Sequence, residues 1–403
     1  MSWWRASRPD ALRAAAAAGL VLALPLLAVA LATGLAFPAQ TDEARFHFDT
    51  IRAFGEAFPQ APWREYHAAT TPLPYVLWGV WGRLCGFEWP ALRLLTLLLS
   101  YAGLLLFYRL ARRRGHAWPL AESLLLLFSP YVFLNAFTAY TVNMGMAFGV
   151  LALGLYLEAG RRDWKRLLGA SVAATAAVYC RQHYVFLPAG MAMWWAIQSA
   201  RDRRIGWLDL RDLALISLPG LAVAPLFVAW GGLTPPAFQG LHPLAMRPEH
   251  VNFLLMLVGG YFAPVALTAW PALFRWGRGA AVLALAAPLY ALFRPRFEAG
   301  VDAGSSSEQG LLLHGLYLVR NLIGPAAPLL AECALWANGL AIGAASLQMA
   351  WKRGDDEAMR LWCWVAAFAG ILIVSDFVGE RFYSLLLPVL LLLFYPRLAG
   401  RRW

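Results

Sequence analysis

Charged residues are scarce in this sequence. Asp, Glu, Lys and Arg together make up 14% of the 403 residues, hydrophobic residues make up 60%, and the mean hydropathy is +0.55. Soluble domains contain about 25% charged residues, so a chain this apolar cannot cover a water-exposed surface with polar groups. The composition therefore excludes a soluble globular protein and predicts an integral membrane protein whose solvent is lipid.

Cysteine is also rare, and common nucleotide-binding motifs are missing. The sequence contains no CxxC pair, no glycine-rich nucleotide loop and no soluble domain of any size. These absences argue against a cysteine metal site, an ATP-driven pump and a cytoplasmic enzyme that uses sugar nucleotides. The four cysteines are scattered in apolar surroundings, so we expect no disulfide framework and a core position for each: Cys85, Cys180, Cys333 and Cys363.

Long apolar runs predict a bundle of helices that cross the bilayer. The first covers residues 12–37 and is too long for a signal-peptide core, so we expect it to be retained. Later runs lie near 91–110, 118–137, 144–160, 167–180, 184–200, 212–231, 251–272, 279–293, 325–350, 359–376 and 383–399. The pattern predicts an all-α polytopic protein with about 11–13 transmembrane helices in a single domain over residues 1–403.

Basic residues cluster between the apolar runs and indicate the orientation. The positive-inside rule places clusters such as Arg112–Arg114 on the cytoplasmic side, together with both termini. The net charge of +11 is therefore a topology signal and predicts no nucleic-acid partner. The segment 72–86 is short and rich in Trp and Tyr, so we place it along the outer surface rather than across the membrane.

Three external loops follow from this topology: 38–89 with its juxtamembrane helices, 232–250 and 294–324. Lys165 and Lys352 are the only lysines, and Ala and Gly are abundant, which is typical of a GC-rich bacterial genome. We therefore expect the protein in a bacterial inner membrane, with these loops facing the periplasm.

Polar side chains concentrate in the external segments, which predicts a polar cavity open to the outside. The first loop begins with the acidic pair Asp42 and Glu43, ahead of a helix whose apolar stripe is spaced to lie on the membrane: Phe46, Ile51, Phe54 and Phe58. Two interpretations of Asp42 are open. It is either a cap of that helix or a partly desolvated general base.

Five short motifs occur in order along the chain: Asp42-Glu43 with Phe46-His47, residues 70–75, residues 137–141, Arg181-Gln182, and residues 380–383 with Pro388. Together they resemble one enzyme family, the dolichyl-phosphate-glucose α-1,2-glucosyltransferases. Asp42-Glu43 followed by Phe46-His47 resembles that family's Asp-Glu-x-Phe-His, with one residue inserted. Residues 70–75 are similar to its Thr-Thr-Pro-Pro-Gly-Leu-Tyr, and residues 137–141 to its Tyr-Tyr-Thr stretch. Arg181-Gln182 matches its Arg-Gln-Thr-Asn, with His183-Tyr184 in place of Thr-Asn. Residues 380–383 with Pro388 resemble its final Pro-Arg-Tyr-Tyr…Pro motif.

The resemblance implies membership of the GT-C superfamily, polytopic enzymes that take a sugar from a polyprenyl-phosphate carrier. It implies an inverting transfer to an acceptor hydroxyl on a glycan, glycolipid or lipid-linked molecule, with undecaprenyl phosphate as the expected bacterial carrier. Asp42 is then the general base, Glu43 its catalytic neighbour, and Arg181 and Arg381 the ligands of the donor phosphate. The expected substrate-binding residues are His47, Tyr75, Gln182, His242, His250, Glu380 and Tyr383.

Two further questions stay open on the sequence. No metal or other cofactor is expected, although Asp42, Glu43 and His47 are an alternative divalent-ion site. The rival functions are a transporter or flippase for a lipid-linked or anionic solute, and a scaffold in an envelope assembly complex. Transporters often contain internal repeats and ionisable groups near the middle of the membrane. This sequence has no detectable repeat, and its polar clusters gather on one face.

Overall fold

The computed structural model describes residues 8–40, 42–160, 163–203, 206–241, 245–275, 277, 279–294, 311–324, 326–375 and 383–398. These residues form helices joined by short connections, and no strand occurs among them. The all-α class predicted from the sequence is therefore confirmed.

The chain divides into two compact units, Met1–Pro188 with Trp207–Leu241, and Ala189–Gly206 with His242–Trp403. The first unit contains α1 (Arg8–Thr33), a π-helix (Glu43–His47), α2 (Phe48–Ala57), α3 (Leu73–Cys85), α4 (Trp89–Arg113), α5 (Pro119–Leu127), α6 (Pro130–Asn135), α7 (Thr141–Glu158), α8 (Trp164–Cys180), a 3₁₀-helix (Gln182–Val185), α10 (Trp207–Trp230) and a second 3₁₀-helix (Pro236–Leu241). The second contains most of α9 (Phe186–Asp202), then α11 (Glu249–Tyr261), α12 (Ala263–Arg275), α13 (Gly279–Leu292), α14 (Leu311–Ile323), α15 (Ala327–Arg353), α16 (Asp356–Ile373) and α17 (Leu387–Leu398).

Local sequence signals account for several helix ends. The side chains of Asp163 and Asp355 accept hydrogen bonds from the backbone amides three residues later, at the starts of α8 and α16. These bonds satisfy amides that the first helical turn leaves without partners. Gly354 ends α15 in the left-handed region at φ +60°, which glycine adopts without steric cost.

Among the described residues, five helical segments are long and apolar enough to cross a membrane: Arg13–Thr33, Trp89–Arg113, Thr141–Glu158, Trp207–Trp230 and Ala327–Arg353. Helices α11 and α12 make a sixth if they are one broken span, since the chain bends by 103° between them. The protein is thus an integral membrane protein. Within the described residues, however, fewer long apolar helices occur than the predicted count, because several apolar runs form shorter pieces. The run 118–137, for example, is divided between α5 and α6, where Pro130 begins the second helix.

Helix α2 packs its apolar face against α3, so the expectation that this stripe lies on the membrane is wrong for its central residues. Ile51 and Phe54 are buried, whereas Phe58 is exposed. Gly55 and Gly79 allow the close approach, because a Cβ on either would meet the backbone of the other at less than 3.0 Å. Helix α3 has 13 residues. At about 1.5 Å per residue it is shorter than the roughly 30 Å hydrocarbon core, which agrees with a position outside the spanning set.

The second unit is built around α15, which packs against α11, α12, α14 and α16. Its closest crossing is at Gly339, where the helix meets α11 at Gly259. The cysteine prediction is correct for Cys180 and Cys363, which are buried, and wrong for Cys85 and Cys333, which are exposed. A thiol is apolar enough to face either lipid or the core, so an apolar sequence context does not distinguish the two.

Candidate active site

Four segments that the sequence singles out meet in the first unit: 42–47, 69–75, 137–141 and 181–182. The Ala139 amide donates a 2.6 Å hydrogen bond to Oε1 of Glu43. Nη1 of Arg181 donates to the Thr141 hydroxyl over 3.4 Å, and Nε2 of Gln182 donates to the Ala69 carbonyl over 2.8 Å. Residues from distant parts of the sequence therefore form one polar cluster.

Asp42 directly precedes the π-helix and is half-buried. Its side chain makes no capping hydrogen bond to that helix, so the geometry argues against a helix cap. The π-helix itself directs Glu43 and His47 inward, where both are buried, and leaves Ala44 and Arg45 exposed. Single-turn π-helices are rare and occur frequently at functional sites.

Glu43 forms a fully buried ion pair with Arg93 of α4. Nη2 of Arg93 donates to Oε2 over 2.8 Å, and Nε donates to Oε1 over 3.1 Å. The backbone amides of Gln40 and Ala139 donate to the same carboxylate. The predicted catalytic neighbour of Asp42 is therefore surrounded by protein donors, which suits a structural role better than proton transfer.

Tyr75 lies at the centre of the cluster and is fully buried. Its hydroxyl is 2.8 Å from the Thr70 hydroxyl and 2.9 Å from Nδ1 of His47. Burial raises the pKa of the Tyr75 phenol well above its ordinary value; the hydrogen bond with Thr70 and the charge of Arg181 lower that pKa, and the charge of Asp42 raises it. The phenol is thus neutral near pH 7.

Arg181 follows the last residue of α8 and is only 8% exposed. Its backbone is extended there, at φ −160° and ψ 121°, so the chain leaves the helix and the guanidinium reaches Thr141 at the start of α7. The Thr71 hydroxyl donates to the Val178 carbonyl over 2.7 Å and fixes the 70–75 segment against the same end of α8.

The remaining predicted site residues lie elsewhere. In the second unit, Nδ1 of His250 is 3.0 Å from the Leu372 carbonyl, and the Tyr383 hydroxyl donates to the His250 carbonyl over 3.1 Å. His242, Glu380 and Arg381 lie outside the described residues. Their predicted roles stay predictions.

Two observations complete the site. No group of three His, Cys, Asp or Glu side chains able to hold a metal ion occurs in the part of the chain that the structure describes, and metal independence stays a prediction. Arg93 is not among the site residues predicted from the sequence, although its position inside the apolar run 91–110 could have identified it. Ionisable residues in such runs are generally paired or functional.

Comparisons with known proteins give a narrow result. No known family model and no curated protein matches the chain. The chain is similar to two solved structures of ArnT from Cupriavidus metallidurans, one in the apo state and one bound to undecaprenyl phosphate. In each case the sequence identity is 16% and the TM-score 0.41, and the match covers 96% and 98% of this chain and 76% of the ArnT chain.

Proposed function

We propose that the protein is an inverting glycosyltransferase that moves a sugar from a polyprenyl phosphate to an acceptor hydroxyl. The observation behind the proposal is that the Asp42 segment and the Arg181 guanidinium contact the same stretch of chain. Glu43, the residue after Asp42, accepts a hydrogen bond from the Ala139 amide, and Arg181 donates to the Thr141 hydroxyl two residues later. An acid–base group beside a phosphate ligand is what transfer from a lipid phosphate requires.

In the proposed reaction the acceptor oxygen attacks the anomeric carbon of the donor sugar. Asp42 takes the hydroxyl proton, a bond forms between that oxygen and the anomeric carbon, and the bond from the anomeric carbon to the phosphate oxygen breaks. The bonding electrons leave with the phosphate, whose added negative charge Arg181 stabilises. A guanidinium suits this role because it stays charged and can bind phosphate through two N–H groups. Arg381 is proposed as the second phosphate ligand.

The other members of the cluster have supporting roles in this proposal. The neutral Tyr75 phenol, held by Thr70 and His47, joins the segment after Asp42 to the 70–75 segment. Thr71 fixes that segment against the end of α8 that leads to Arg181. Gln182 fixes the backbone at Ala69. We propose undecaprenyl phosphate as the carrier and a periplasmic position for the site, in line with the family resemblance and the distribution of basic residues.

The test uses the purified protein in lipid nanodiscs. It is incubated with undecaprenyl-phosphate-linked glucose, mannose or arabinose and a total envelope glycolipid extract as the acceptor source. Release of free undecaprenyl phosphate that depends on the extract and on one of the sugars is expected. No release from any of the three donors would contradict the proposal for these sugar classes.

A transporter or flippase is the second candidate, and two features of the second unit favour it. Helices α11 and α12 are bent by 103° at Phe262, as in the broken helices of many transporters. The buried Glu332 of α15 pairs with Arg294 at 2.8 Å, which puts a charge inside a candidate span. Movement of fluorescent undecaprenyl phosphate between the leaflets of proteoliposomes, without release of sugar, would favour this function over the first.

A further inference from the structure

The guanidinium of Arg93 is fully buried and pairs with Glu43, the residue after the candidate base Asp42. All three nitrogens of the Arg93 guanidinium group donate: Nε and Nη2 to Glu43, and Nη1 to the carbonyls of Leu35 and Phe37 at 2.9 and 2.8 Å. The guanidinium carbon also lies 4.0 Å from the ring centroid of Phe37 and 5.2 Å from that of Trp89. The group is therefore fixed through both its edges and its faces.

The carboxylate of Glu43 is equally occupied. Oε1 accepts from Nε of Arg93 and the Ala139 amide, while Oε2 accepts from Nη2 of Arg93 and the Gln40 amide. A carboxylate has about four lone-pair sites, so four donors leave none for a substrate hydroxyl. Since Glu43 is also completely buried, it is poorly placed to act on a substrate itself.

We propose that Glu43 and Arg93 are a positioning pair that sets Asp42 relative to Arg181; the inference rests on the proposed function. Arg93 holds the segment that leaves α1, through Leu35 and Phe37, and Glu43 holds the Ala139 amide. Asp42 is the residue before Glu43. Thr141, two residues after Ala139, binds Arg181. One ion pair therefore connects the base segment to the segment that holds the phosphate ligand.

Stability and positioning can be separated at this pair. Two apolar side chains of similar volume would fill the space without the cost of desolvating two charges, and such replacements of buried ion pairs are often neutral for stability. An apolar pair cannot accept from the amides of Gln40 and Ala139 or donate to the carbonyls of Leu35 and Phe37. It would keep the packing and lose the connections that set the geometry, and the four backbone groups without partners would lower the melting temperature.

The test is the double variant Glu43→Leu/Arg93→Met, with Arg52→Met/Glu56→Leu as the matched control. The control pair is on α2 in the same loop, and its side chains are 60% and 63% exposed. Melting temperature, kcat, and KM for the undecaprenyl-phosphate sugar are measured in nanodiscs. We expect the double variant to keep a cooperative melting transition, at a lower temperature than the wild type because four backbone groups lose their partners. Its KM should be unchanged and the kcat of its folded fraction about 100-fold lower, since small misplacements of reacting groups cost that much. The control should match the wild type in all three.

A double variant whose folded fraction turns over like the wild type would overturn the proposal, because the pair would then be structural only. If the double variant has no melting transition, the same measurements on the single variant Arg93→Lys test the proposal. Lysine keeps the charge but lacks the planar fork, so kcat should fall by much more than the folded fraction does. A kcat that falls only in proportion to the folded fraction would overturn the proposal. Wild-type protein that releases undecaprenyl phosphate from no donor contradicts the proposed function instead, so the two failures are distinguishable.

Discussion

The hydroxyl of Tyr75 lies 2.9 Å from Nδ1 of His47, although 28 positions separate the two residues in the sequence. Their rings also stack, with centroids 5.7 Å apart. The contact joins the π-helix that follows Asp42 to helix α3, so these two parts of the chain are held together. The hydroxyl is also the one part of Tyr75 that a substitution can remove without changing the shape of the ring.

Tyr75→Phe should destabilise the protein, and Tyr184→Phe should not. Both rings are buried, but the Tyr75 hydroxyl has two hydrogen-bond partners, whereas the Tyr184 hydroxyl has none among the described residues. Removing a bonded hydroxyl takes one hydrogen-bond partner from Thr70 and from His47 and should cost about 1–3 kcal/mol, while removing an unbonded one is neutral or favourable. Thermal unfolding of both variants in the same detergent measures this. Equal melting temperatures would contradict the hydrogen-bond arrangement at Tyr75.

Arg181→Ala should weaken binding of the lipid phosphate. A charge-assisted hydrogen bond is worth about 1.5–3 kcal/mol, so the Kd for undecaprenyl phosphate should rise about 10- to 100-fold. Native mass spectrometry of the protein with undecaprenyl phosphate measures the change. Arg52→Ala, which removes an exposed arginine of α2, is the control and should bind as the wild type does. If both variants bind equally well, Arg181 is not a phosphate ligand.

Gly339→Ala should destabilise the second unit. A Cβ at this position would overlap the Leu255 carbonyl of α11, and backbone cannot yield as a side chain can. Overpacking of this kind costs about 1–3 kcal/mol. Gly343→Ala on the same helix is the control, because its Cβ would lie 3.5 Å from the Trp362 ring, an ordinary contact. Thermal unfolding should show a loss for the first variant and none for the second.

The predicted orientation can be tested with single cysteines at Gln60 and Ala117 in a background without the native cysteines. Both positions are exposed. Ala117 is preferable to the neighbouring Gly115, whose φ of +70° disfavours a side chain. A membrane-impermeant maleimide added to intact cells should label position 60, and position 117 only after permeabilisation. Labelling of position 117 in intact cells would contradict the predicted orientation.

Much of the candidate site follows from the sequence because its residues are unusual for their surroundings. Asp42 and Arg181 are polar residues next to long apolar runs, and the structure brings both of their segments to residues 139–141. The partner of Glu43 could not be predicted in the same way. Arg93 is 50 residues further along the chain, and its place in an apolar run indicates a paired arginine without identifying Glu43 as the partner.

Other features depend on packing that periodicity does not reveal. An amphipathic stripe such as that of α2 can face lipid or a neighbouring helix. Here it faces helix α3, because Gly55 and Gly79 allow the two helices to approach closely. Similarly, the run 251–272 reads as one span, but the helix stops at Tyr261 and resumes at Ala263 in a new direction. Hydropathy gives the length of an apolar run and not the bends within it.

The most direct test of the account is the rate of sugar transfer by Asp42→Asn. Asparagine keeps the size and hydrogen-bonding capacity of the side chain but removes the basic oxygen, so kcat should fall by about two to four orders of magnitude, while the Kd for undecaprenyl phosphate stays near that of the wild type. Asp49→Asn, at an exposed acidic residue in the first turn of α2, is the matched control and should transfer normally. Transfer by Asp42→Asn at the wild-type rate would contradict the assignment of Asp42 as the general base.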